Sequence, residues 1–91
     1  MAFLSETHHH VATALNNIGE VLRSQGDYAG ALEKFNETLA IWVNSFGENH
    51  PQVATALNNI AGVLYSKGDY AGALEKYNQA LAIDEACFGR N

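Results

Sequence analysis

The feature that most constrains this chain is that it is written twice. VATALNNIGEVLRSQGDYAGALEKFNETLAIWVNSFGEN occupies 11–49, and VATALNNIAGVLYSKGDYAGALEKYNQALAIDEACFGRN occupies 53–91. The offset is 42 residues, with 27 of 39 aligned positions identical. A fixed period of 20–50 residues marks an array in which each unit buries its apolar face against a neighbour. Each unit holds two helical patterns separated by QGDY or KGDY. The repeat is therefore a helical hairpin, and the expected fold is all-α: four helices as two stacked hairpins.

The apolar spacing sets the helix limits. In the first helix, about His9 to Gln25, Val11, Ala14, Leu15, Ile18 and Leu22 form one stripe of 3.6-residue period. Gly19 lies inside it at a cost of about 1 kcal/mol against alanine, which a close helix–helix approach would offset. Ala61 takes its place in the second copy. Gly26 can end the helix in a left-handed conformation, and Asp27 can cap the next one. The second stripe is Tyr28, Ala31, Leu32, Phe35, Leu39, Trp42 and Phe46, a helix of about 28 Å. Pro51 suits the first turn of a third helix. The second hairpin predicts helices over 51–67 and 70–88. The chain reads as one domain, with 1–8 a leader or linker remnant, 9–50 the first repeat and 51–91 the second. Phe3 or Leu4 is positioned to cover the first helix end.

Composition narrows the function. Net charge is −5, so the clustered Lys and Arg that phosphate backbones require are missing; nucleic acid and anionic membrane surfaces are not expected partners. No apolar run approaches the ~20 residues of a membrane span. The start MAFLSET lacks the pattern of a signal peptide. With Cys87 the single cysteine, no internal disulfide is possible, and a cytoplasmic setting is the expectation.

Catalytic chemistry finds no foothold. Cys87 has no histidine in its pattern. His8, His9 and His10 point in different directions and lack further ligands at metal spacing. Glu33, Lys34, Glu75 and Lys76 read as a solvated face, Trp42 as core, and Tyr28 and Tyr70 as packing residues with exposed hydroxyls. No enzyme activity, cofactor or metal is expected.

The residues now on the page resemble the tetratricopeptide repeat family. Leu15, Ile18, Gly19, Leu22, Gly26, Tyr28, Ala31, Phe35 and Thr38 carry the resemblance in the first copy. Leu57, Ile60, Ala61, Leu64, Gly68, Tyr70, Ala73, Tyr77 and Ala80 carry it in the second. Two departures stand out. The period is 42 rather than about 34, and Val43 and Glu85 replace the proline that usually ends the second helix. The second helix should run on, as in the long repeats typified by kinesin light chains. The resemblance implies a right-handed solenoid whose concave groove, lined by first helices, binds peptides. Arg23 is the one basic groove candidate, so a clamp for a C-terminal carboxylate is not expected.

The candidate peptide-binding residues lie on the polar side of the first helices. They are Thr13, Asn16, Asn17, Glu20 and Arg23, with Thr55, Asn58, Asn59 and Tyr65 in the second copy. Asparagine is a poor helix former, so paired asparagines in both copies call for a use. A primary amide can pair with an extended peptide backbone. The structural alternative is a bond across the hairpin or a ladder between repeats. In the binding reading Asn17 and Asn59, about 10 Å apart, hold backbone.

A rival reading is a building block whose activity is self-association. Two repeats fall below the three or so such arrays usually need, and no polar capping helix is evident. Homo-oligomers are then expected, either end to end or by swapping a hairpin through the Phe46–Pro51 linker.

Overall fold

The computed structural model describes the backbone of residues 2–89 and the side chains of residues 8–89. It consists of α1 (Ala2–Ser24), α2 (Tyr28–Phe46), α3 (Pro51–Lys67) and α4 (Tyr70–Phe88), with no strand among the described residues. α1 packs on α2, α3 packs on α4, and α2 packs on α3, so the two hairpins stack in chain order. The result is a flat slab of 39 × 34 × 15 Å. One hairpin cannot enclose a core by itself; the core lies between them.

Three helices have the limits the periodicity predicts. α2 runs through Val43 without a break, because nothing there removes a backbone donor. α1 differs: it starts at Ala2, seven residues before the expected start near His9. The stretch preceding the second repeat contains Gly47 and Pro51, which break a helix; their counterparts in the leader are Ser5 and His9, which do not. The expected cover by Phe3 or Leu4 concerns side chains outside the described residues.

The connections follow from local chemistry. Gly26 and Gly68 adopt φ of 83° and 90°, where a Cβ would be strained. The Asp27 N–H donates to the Leu22 carbonyl at 2.8 Å and the Asp69 N–H to that of Leu64 at 2.9 Å, which ties off each first helix. The Asp27 and Asp69 carboxylates accept from the N–H groups of Gly30 and Gly72 at 3.0 Å, capping α2 and α4. α3 has a cap that composition alone did not reveal: His50 Nδ1 accepts from the Gln52 N–H at 3.1 Å, ahead of Pro51.

Two core clusters hold the hairpins together. Ala31 and Phe35 of α2 meet Ile60 and Val63 of α3. Nearer the linker, Trp42 joins Ala12, Val53, Ala54, Ala56, Leu57 and Ala80. Gly19 has the expected role: a Cβ there would lie 2.7 Å from Phe35 Cε1, so only glycine lets α1 ride over that ring. Thr38 is buried too, its hydroxyl donating to the Lys34 carbonyl at 3.0 Å and reaching that of Ala12 at 3.4 Å. An aromatic series fastens the linker. His9 lies 5.1 Å from Trp42 and 4.9 Å from Phe46, and Phe46 stacks on His50 at 3.9 Å.

The first helix's stripe is only half covered. Ile60 and Val63 are 3% and 0% exposed, whereas their counterparts Ile18 and Val21 are 46% and 56% exposed. Val11 and Ala14 are exposed as well. The reason is positional: α3 has α2 beside it, and the corresponding side of α1 has no helix over it among the described residues.

Candidate interaction surfaces

The polar side chains of the first helices meet along the α1/α3 seam. Asn59 Nδ2 donates to Asn16 Oδ1 at 2.8 Å, in a half-buried setting. The bond joins positions 43 apart in a chain of period 42, so the second asparagine of one pair meets the first of the other. It is an amide bridge between repeats. Asn17 and Asn58 are the exposed members of the two pairs. Asn17 and Asn59 thus occupy equivalent positions in unlike surroundings, one open and one engaged.

Further along the seam, Arg23 Nη2 donates to Glu20 Oε1 at 2.8 Å. A Cβ on Gly62 would come within 2.7 Å of Arg23 Nη1, so the guanidinium lies against the bare backbone of α3. A helix-interior glycine costs about 1 kcal/mol against alanine; here it gives the arginine room. With both partners over a third exposed, the ion pair adds little to stability. Thr13 and Thr55 are exposed, but their hydroxyls donate to the carbonyls of His9 and Pro51 at 3.1 Å. A cavity of about 110 Å³ between Thr13, Asn16, Gln52 and Thr55 separates the helices at this end. Tyr65 is exposed and sits edge-on to Tyr70, centroids 5.1 Å apart.

Of the nine residues singled out from sequence, the structure brings together Asn16 with Asn59 and Glu20 with Arg23. It leaves Thr13, Asn17, Thr55, Asn58 and Tyr65 on the surface. Sequence reasoning left α4 without a capping helix but did not place its large apolar side chains on the open face. Tyr70, expected to pack as Tyr28 does, is exposed along with Leu74, Tyr77, Leu81 and Phe88. Tyr65, Tyr70, Ala73, Leu74 and Tyr77 line a hollow of about 460 Å³. Their counterparts Tyr28, Ala31, Leu32 and Phe35 form the wall that Ile60 and Val63 fill from α3. The hollow on α4 is that same wall with nothing in it. The signal that could have found it was the repeat itself: whatever α2 offers α3, α4 offers again.

The other histidines and the cysteine have structural surroundings. His9 lies between Trp42 and Phe46, while His8 and His10 are exposed. Cys87 Sγ donates to the Asn49 carbonyl at 3.3 Å. Among the described residues, no group of three or more His, Cys, Asp or Glu could hold a metal ion. Nor is any helix there long and apolar enough to cross a membrane.

Stacked helical hairpins of one repeated unit define a helical-repeat protein. A sequence profile of the Tetratricopeptide repeat family matches residues 10–86. The chain belongs to that family, whose members serve as protein–protein interaction modules and scaffolds. No curated protein matches the chain.

Proposed function

We propose that the chain works by stacking: it associates with further helical-repeat surfaces, copies of itself foremost, through the open faces of α1 and α4. One observation carries this reading. Residues of the same identity are buried where a neighbouring repeat covers them and exposed where none does, as Ile60 and Val63 against Ile18 and Val21. Ile18 and Val21 are already about half covered, so burying the rest of each contributes roughly 1 kcal/mol. Catalysis has no part in the proposal, and a cytoplasmic setting fits its lone thiol. The test is a concentration series by light scattering and sedimentation. Mass that rises with concentration is expected; a monomer throughout would refute the proposal.

A second reading has its own support. Thr13, Asn17, Thr55, Asn58 and Tyr65 are exposed on the first helices, and an extended peptide could lie across them. Asn17 and Asn58 have free amides there, whereas Asn59 would have to share the amide that it gives Asn16. A neutral hydrogen bond adds about 0.5–1.5 kcal/mol net, so affinity on this surface should be weak. Titrating a peptide library against wild type and Asn17→Ala, with helicity checked by circular dichroism, tests it. Binding that is selective and lost in the variant supports the groove; binding unchanged in the variant removes Asn17 from it.

A further inference from the structure

We infer that the stacking is polar: α4 of one copy receives α1 of the next, in the register of the internal α2/α3 interface. The inference rests on the stacking reading above and names its partner, direction and contacts.

The internal interface is the template. Every α3 residue in the two core clusters (Val53, Ala54, Ala56, Leu57, Ile60 and Val63) has an identical counterpart 42 residues earlier on α1, from Val11 to Val21. On the opposing helix, Ala31, Leu32 and Leu39 recur as Ala73, Leu74 and Leu81, and Phe35 changes to Tyr77. A second copy therefore brings to the α4 hollow the same Ile and Val side chains that fill its twin on α2. An unrelated helix would have to match that spacing by chance.

The amide bridge extends the argument. Asn16 and Asn59 pair at an offset of 43. Carried on by one chain of two 42-residue repeats, the same offset takes Asn58 to Asn17 of the next copy. These two are the exposed asparagines of the pairs. Each junction along the stack then has one interhelical amide bond, inside and between chains alike.

One end of the interface differs. Asp84 and Glu85 stand where α2 has Trp42 and Val43, so the apolar contact is confined to the half of α4 from Tyr70 to Leu81. The junction between chains is accordingly weaker than the internal one, and assembly is reversible. Because the α4 and α1 faces are different surfaces, contact between them leaves one of each free. The product is an open chain, which a two-fold dimer cannot be.

The experiment uses Val21→Glu, which blocks the α1 face, and Leu81→Glu, which blocks the α4 face. Both side chains are exposed in the single chain, and circular dichroism checks that each variant stays helical. Sedimentation velocity across about two decades of concentration reads the mass. Wild type is expected to grow past the dimer, and each variant alone to remain a monomer. Their equimolar mixture is expected to stop at a one-to-one dimer, because it supplies one intact α4 face and one intact α1 face. Asn58→Ala and Asn17→Ala are each expected to weaken association about threefold to tenfold, the loss of one amide hydrogen bond. A wild type that stays monomeric overturns the stacking reading itself. Association that ends at the dimer, or that survives in either blocked variant alone, overturns the polar register while leaving stacking in place.

Discussion

Phe35 and Tyr77 hold the same place in two copies of one helix, yet Phe35 is wholly buried and Tyr77 is 41% exposed. The same contrast separates Val63 from Val21 and Ile60 from Ile18. Repeat identity fixes what a side chain offers; its neighbour decides whether the offer is taken up. Among the described residues the inner helices, α2 and α3, each pack broadly on two helices, whereas α1 and α4 each have one such partner, α1 touching α3 only along the polar seam. Identical residues should thus carry unequal shares of stability.

The largest test of that inequality pairs Phe35→Ala with Tyr77→Ala, at concentrations where the chain is monomeric. Phe35→Ala is expected to cost about 3–5 kcal/mol, enough to unfold a chain this small, while Tyr77→Ala costs under about 1 kcal/mol. Urea or thermal unfolding followed by circular dichroism reads both. Equal losses would break the comparison.

Gly19→Ala comes next. Its Cβ would press on Phe35, a ring with no room to move, and overpacking of this kind costs about 1–3 kcal/mol. The reverse change in the other repeat, Ala61→Gly, is expected to cost about 1 kcal/mol through helix propensity alone. A stabilised Gly19→Ala would show that the hairpin can open without loss.

The amide bridge gives a smaller effect. A double-mutant cycle on Asn16→Ala and Asn59→Ala is expected to show a coupling of about 0.5–1.5 kcal/mol. The same cycle on Asn17 and Asn58 in the monomer is expected to show none, since the two are exposed and not bonded to each other. Coupling there would mean that the seam is shared differently.

The caps should show the smallest difference between repeats. Asp27→Ala and Asp69→Ala each remove one 3.0 Å bond of the same geometry, and each is expected to cost about 1 kcal/mol. The two melting shifts should agree closely. A large gap would mean that capping depends on stacking as well as on local sequence.

Local chemistry was legible from residues alone. The ends of α2, α3 and α4, the glycine turns, the Asp27 and Asp69 caps and the packing of Gly19 all follow from interactions within a few residues, or from one repeated stripe. Hydrogen bonds and φ preferences act over four or five positions, and a sequence displays those directly. The start of α1 escaped the reading because periodicity marks which turns are buried, not where a helix without a breaker stops.

Contacts between repeats were another matter. Sequence placed Asn16, Asn17, Asn58 and Asn59 on one side of the first helices and left their partners open. Only the stagger of α3 against α1 selected Asn16 with Asn59 at an offset of 43 rather than 42. Phe35, Ile60 and Val63 also meet between the hairpins, a three-dimensional fit no periodicity encodes. The fate of α4 has the same origin: its residues nearly match those of α2, so burial there is a property of the neighbour. The sequence by itself determined four helices, the Asp27 and Asp69 caps and the pairing into hairpins, because short-range forces suffice for each. The tertiary structure decided which of two identical faces is core and which is surface, because burial depends on what stands opposite.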